Sequence, residues 1–174
     1  GPTGSGKTTA LYSFLREINE EGTKIITIEN PVEYKLKGVV HTQTDENYTF
    51  AQGLRAMLRQ DPDVIMVGEI RDHEVAETAI HAAQTGHLVF STLHTTSAVA
   101  GYTRLIDLGA NPQVMGSSIN IIIGERLLRK LCEKCKTAYQ ASPEEKQLID
   151  FVMSDHPYPV EVPNPLTLYR PVGC

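Results

Sequence analysis

Gly1-Pro2-Thr3-Gly4-Ser5-Gly6-Lys7-Thr8 fits the spacing G-x-x-x-x-G-K-[ST] at every constrained position. Such a stretch works only ahead of a helix. Its glycines let backbone N–H groups close around a polyphosphate, Lys7 brings a point charge to the outer phosphates, and Thr8 offers a hydroxyl to Mg²⁺ at the helix N-terminus. Gly1, Pro2, Thr3, Gly4, Ser5, Gly6, Lys7, Thr8 and the adjacent Thr9 are therefore the candidate phosphate-binding residues. The required helix is legible: Leu11, Phe14, Leu15 and Ile18 recur at helical spacing, and Gly22 follows as a stop. A loop of this kind normally leaves a buried strand. With Gly1 as its first glycine, the chain reads as a fragment whose preceding strand lies upstream.

Downstream, strand-like runs end repeatedly in polar groups. Lys24 to Ile28 is β-branched and apolar, and it leads into Glu29-Asn30-Pro31-Val32-Glu33. Open α/β sheets bind ligands at such strand ends, although a solvated acidic loop would look the same. His41, in the mixed stretch from Lys35 to Asp45, reads as a surface histidine. Thr49 can cap a helix carrying Leu54, Met57 and Leu58. Arg55 and Arg59 share another face of it, either as nucleotide or subunit contacts or as a solvated stripe. Asp61-Pro62-Asp63 breaks that helix, Val64 to Val67 reads as a buried strand, and Gly68-Glu69-Ile70-Arg71-Asp72 sets a second carboxylate at a strand end. Asp72 caps a helix through Ala83, closed by Gly86; Leu88 to Ser91 is a further strand that runs into Thr92-Leu93-His94-Thr95-Thr96. Helices are expected from Ser97 to Leu108 and from Pro112 to about Ile123, with Glu125 to Leu131 open between helix and strand.

The texture changes at Cys132-Glu133-Lys134-Cys135, a C-x-x-C pair that reads as metal-binding or redox. A short helix from Pro143 to Met153 and a tail carrying Pro157, Pro159, Pro163, Pro165 and Pro171 follow. The organisation expected is an α/β core over 1–131, with a mostly parallel sheet, and a small appendage over 132–174. Three cysteines are too few for a disulfide scaffold, and no apolar run approaches the 18 or so residues of a membrane span. A net charge of −5 argues against a nucleic-acid surface.

With these segments placed, the sequence resembles the secretion ATPases that drive type II secretion and type IV pilus assembly. The resemblance runs from Gly1 to about Cys135. It covers the Walker A loop Gly1–Thr8, the Asp box from Thr27 to Tyr34, the Walker B segment from Arg59 to Asp72, and the His box from Thr85-Gly86-His87 through His94-Thr95. It implies a RecA-like P-loop core that hydrolyses ATP with Mg²⁺ held at Thr8. It also implies a homo-hexamer, peripheral on the cytoplasmic face of the inner membrane, that moves a membrane platform protein; the acidic balance speaks against a nucleic-acid partner. Glu69 becomes the first candidate for orienting the attacking water, Glu29 and Glu33 candidates for metal or water positioning, and His94 a sensor of the γ-phosphate, with His87 secondary. Cys132 and Cys135 resemble the first half of a four-cysteine Zn²⁺ site, with Cys174 third and a fourth cysteine past the chain end.

The sequence departs from the family at Asn30, where Asp or Glu is usual, and at Glu125, where Gln is usual. Like its relatives it has Gly68 where most Walker B strands end in a metal-holding Asp. Asn30 and Gly68 keep a second reading in play, a nucleotide-binding scaffold without turnover. A third is a DNA-handling conjugation-type ATPase.

Overall fold

The structure is a computed structural model that describes residues 1–154 and 161–173. In chain order the elements of the first part are α1 (Lys7–Ile18), β1 (Ile25–Glu29), β2 (Val40–Gln43), α2 (Phe50–Leu58), β3 (Val64–Val67), α3 (His73–Gln84), β4 (Leu88–Ser91), α4 (Val99–Asp107) and α5 (Pro112–Ser118). β5 (Lys136–Gln140), α6 (Pro143–Ser154) and β6 (Thr167–Pro171) follow. The chain divides into two compact units, Gly1–Leu127 and Leu128–Cys174.

In the first unit the strands form one parallel sheet in the order β2-β1-β3-β4. β1 and β3 are buried at every position, because a central parallel strand is covered on both faces. Side chains alternate across the sheet, and that alternation sorts the core. Ile26, Ile28, Ile65 and Val67 face α2 and α3, where they meet Leu54, Met57, Val75 and Ala79. Ile25, Val64 and Met66 face α1 and meet Leu11, Tyr12 and Leu15. By the same alternation Thr27 and Glu29 point toward α1, which places a carboxylate beneath the helix that leaves the phosphate loop. A third cluster, Ala76, Ile80, Leu105, Ala110 and Met115, joins α3 to α4 and α5.

The caps expected from sequence are present. Thr49 and Gln52 form a reciprocal capping box on α2, and Asp72 accepts from Val75 N–H at the start of α3. Four expectations need correction. β2 is a strand in a stretch without strand signal; Val40-His41-Thr42-Gln43 holds one apolar residue because, among the described residues, it pairs only with β1 on the sheet edge. His41 is not a surface histidine: its side chain is 10% exposed, with Nδ1 3.0 Å from Thr27 Oγ1 and Nε2 accepting from Leu36 N–H. Phe14 is 40% exposed and stacks on Phe90, while Tyr12 takes the buried position in α1. α5 stops at Ser118, since Ile119 turns extended and β-branched Ile121, Ile122 and Ile123 ahead of Gly124 favour extended chain. Residues 119–131 form neither helix nor strand.

In the second unit β5 and β6 pair antiparallel, and α6 starts on a reciprocal cap between Ser142 and Glu145. Lys136 lies over the Tyr169 ring and Arg170 over the Tyr139 ring, so cations cover the ribbon's aromatic side chains. Pro157, Pro159 and Cys174 lie outside the described residues.

Candidate active site

Three strands of one parallel sheet end on the same side, and each delivers a polar group to the rim. β1 ends in Glu29, β3 runs through Gly68 into Glu69, and β4 runs through Thr92 toward His94. The loop Gly1–Gly6 closes the rim. Gly4 and Gly6 have φ of 74° and 97°, a backbone available to glycine, and Gly6 is the N-cap of α1. Between loop and strand ends lies a cleft of about 470 Å³, a size that suits a nucleotide. Thr3, Gly4, Gly6, Lys7, Thr8 and Thr9 form one wall; Glu29, Asn30, Glu33, Glu69, Thr92 and His94 form the other, and Leu127 stands at its edge.

The loop is held from below. Gly1 and Ser5 are buried, and Lys7 Nζ donates to the carbonyl of Pro2 at 2.8 Å. That ammonium lies over its own loop, within reach of any anion that takes its place among the loop amides.

Glu69 sits between two cations or potential cations. The Arg71 guanidinium pairs with its Oε1, and His94 Nε2 lies 3.3 Å from its Oε2. That pairing pushes the Arg71 guanidinium above its already high pKa, with the hydrogen bond to Glu69 as the main cause. The other nitrogen of His94, Nδ1, is 3.4 Å from Thr3 Oγ1 in the loop. One ring therefore bridges the carboxylate and the phosphate loop across the cleft. Thr92 secures the β3–β4 side by donating to Gly68 O at 2.7 Å.

Gly68 has a steric reason. A β-carbon there would lie 3.3 Å from Ile28 O and 3.4 Å from Glu29 Cα, tight against the backbone of a central strand. The close approach of β1 and β3 that brings Glu29 and Glu69 to one cleft disfavours a side chain at this position.

Glu29 is 2% exposed. Tyr12 donates its hydroxyl toward both carboxylate oxygens, at 2.7 and 2.9 Å, and Thr27 donates to Oε1 at 2.7 Å. His41 Nδ1 is 3.5 Å away. Burial and the Glu29 hydrogen bond push the Tyr12 phenol well above its ordinary range. Glu29 is thus tied to α1 rather than part of a solvated loop. Glu33 is exposed on the cleft wall.

Other candidates are not brought to the cleft. Arg55 pairs with Glu74 on the α2–α3 surface, and Arg59 is exposed. Neither lines the cleft, so the nucleotide-contact alternative for them is not supported. His87 stands at the start of β4, the opposite end from His94, with Nδ1 against Ala82 O and Thr85 Oγ1. Thr27, Arg71 and Thr92 lie in segments named from sequence but carry no role there, His41 reads there as a surface residue, and Tyr12 is not singled out.

In the second unit Cys132 and Cys135 flank a tight turn, in which the N–H groups of Cys135 and Lys136 both reach Cys132 O, at 3.3 and 2.9 Å. Two thiols on such a turn fit one edge of a tetrahedral metal site. Among the described residues no group of three or more ligand-type side chains gathers.

The family described as Type II/IV secretion system protein matches residues 1–174. The chain belongs to that family. Among curated relatives, the type II secretion system ATPase E of Vibrio cholerae is 48% identical over 176 residues, covering 100% of this chain and 33% of that protein. The type IV pilus assembly ATPase PilB of Pseudomonas aeruginosa is 49% identical, covering 100% of this chain and 30% of that protein. The chain thus spans about a third of the length of the curated relatives it matches. Among solved structures, the pilus retraction motor PilT with bound ADP superposes with a TM-score of 0.63 at 45% identity, over 68% of this chain and 38% of that one. The VirB11 ATPase of the Brucella suis type IV secretion system, in complex with sulphate, gives 0.57 at 33% identity, over 67% and 35%. This member of the secretion family therefore shares the α/β core of known secretion and pilus ATPases. No described helix is long and apolar enough to cross a membrane.

Proposed function

We propose that the chain is the catalytic core of an ATPase that powers type II protein secretion or type IV pilus assembly. The observation that carries this reading is the His94 bridge, which ties the carboxylate at the end of β3 to the phosphate loop over a nucleotide-sized cleft. The phosphates rest on the backbone N–H groups of Gly1–Thr9, Pro2 excepted, and Lys7 moves from Pro2 O to the outer phosphates. Thr8, with Glu69 and Glu33 on the facing wall, is a donor set that fits Mg²⁺. The ion neutralises charge on the phosphates when bound. Glu69, held by Arg71 and His94, orients the attacking water; His94 reports the γ-phosphate to the loop; Glu29, with Glu33, helps to position metal or water. Such catalysis needs positioning and charge rather than covalent chemistry.

In the intact protein the core works within a homo-hexamer on the cytoplasmic face of the inner membrane, against a platform protein of the machine. The names of the relatives support a secretion or pilus machine as the setting. The Cys132–Cys135 turn is half of a structural Zn²⁺ site completed by Cys174 and a further cysteine, in an appendage that begins near the C-x-x-C pair. Steady-state ATP turnover by the full-length protein, with and without single-stranded DNA, tests the reading. Turnover unaffected by DNA is expected. Nucleotide binding without turnover would favour a scaffold, and strong stimulation by DNA a conjugation-type ATPase.

A further inference from the structure

Glu125 lies in the extended segment after α5, and its backbone and side chain both meet the phosphate loop. A β-carbon on Gly1 would stand 2.9 Å from Glu125 O, and one on Gly6 would stand 2.7 Å from Glu125 Oε1 and 3.3 Å from its Cδ. The carboxylate therefore rests against the N-cap glycine of α1, yet it is not part of the cleft wall that Leu127, two residues on, helps to form. Its neighbour Arg126 does not pair with it, and the positive charge that acts on it at the loop is the Gly1 ammonium. Arg126 directs its guanidinium to two carbonyls, Glu125 O and Thr96 O, and among the described residues no ion pair involves Glu125.

A helix N-terminus favours an anion, and this one is offered two: the carboxylate of Glu125 and whatever phosphate enters the loop. The two are like charges brought to the same N-cap glycine. We propose that Glu125 sets the phosphate affinity of the loop by opposing its positive field, so that binding weakens in proportion to the charge of the phosphate chain. Glu125 is a positioning residue in this account, acting through the field at Gly6 rather than by touching the nucleotide. The inference rests on the reading of Gly1–Thr9 as a nucleotide site.

The direction is opposite to that of an ordinary loss of contact. The opposition grows with each unit of phosphate charge brought to the loop. Removing the carboxylate should therefore tighten binding, more for longer phosphate chains, and less as salt rises.

The test is calorimetric titration of the full-length protein, wild type and Glu125→Gln, with adenosine, ADP and a non-hydrolysable ATP analogue at low and high salt. Expected are tightening of several-fold for ADP and about tenfold or more for the ATP analogue, shrinking at high salt, with adenosine unchanged within about twofold. Glu125→Asp, which keeps the charge, should behave as wild type, and Glu125→Ala serves if the Gln variant does not fold. Unchanged or weaker nucleotide binding in Glu125→Gln, or tightening that extends equally to adenosine or to Glu125→Asp, would overturn the proposal while leaving the nucleotide site standing. A wild-type protein that binds none of the three overturns both.

Discussion

His94 Nε2 lies 3.3 Å from Glu69 Oε2, while Nδ1 of the same ring lies 3.4 Å from Thr3 Oγ1. A carboxylate fixed at a strand end is thereby connected to a glycine-rich loop that must adapt to the presence or absence of phosphate. The ring is about half exposed, so the bridge can break and reform without disturbing the core.

Replacing His94 with Ala should therefore lower ATP turnover by roughly tenfold to a hundredfold while nucleotide affinity changes only a few-fold. Steady-state kinetics beside equilibrium binding checks this. A fall in affinity equal to the fall in turnover would mean that His94 simply holds the loop.

Tyr12→Phe removes the donor shared by both oxygens of buried Glu29 and by Tyr34 O. A destabilisation of about 1–3 kcal/mol is expected, because the carboxylate keeps its desolvation but loses a partner. The pH dependence has a definite sign. The folded-state pKa of Tyr12 lies above the ordinary 10, so its contribution is complete below about pH 10 and is lost as the unfolded chain ionises above it. Urea unfolding midpoints should fall more steeply for wild type than for Tyr12→Phe as pH rises past 10. Parallel falls would show that Tyr12 is not specially held.

Gly68→Ala should cost about 1–3 kcal/mol, since its β-carbon meets Ile28 O and Glu29 Cα in a sheet that is buried on both faces. Gly68→Asp should be worse and should not restore a stronger metal site. Thermal unfolding together with Mg²⁺ titration of turnover decides between this steric account and a missing ligand.

Much of the fold could be read because its signals are local. The apolar run Val64 to Val67 bounded by Asp61-Pro62-Asp63, and the caps Thr49 and Asp72, each announce an element within a few residues. β2 could not be read that way. Its residues are paired on one side only, so nothing in Val40-His41-Thr42-Gln43 needed to be apolar. The isoleucines after Met115 suggested a longer helix, but a β-branched run has no preference for helix once the cap and the core contacts of α5 end. The site divides likewise. Loop and strand-end acids follow from spacing, whereas the ties Tyr12–Glu29, Thr27–His41 and Glu125–Gly6 join residues 14 to 119 positions apart and exist only after folding.

For the second unit, full-length protein extending past Cys174 should hold one Zn²⁺ per chain, lost in Cys132→Ser or Cys135→Ser together with thermal stability. Elemental analysis reads it. A zinc-free protein with a Cys132–Cys135 disulfide that cycles with reductant would favour the redox reading.

In the proposed mechanism Glu69, placed by β3 and held by Arg71 and His94, orients the attacking water over the loop Gly1–Thr9. The most direct test of that role is single-turnover ATP hydrolysis by full-length Glu69→Gln, with affinity measured on the same preparation. Loss of the carboxylate charge should reduce the hydrolysis rate by roughly two orders of magnitude or more and leave affinity within a few-fold. Hydrolysis near the wild-type rate would contradict the account and move the role to Glu33 or Glu29.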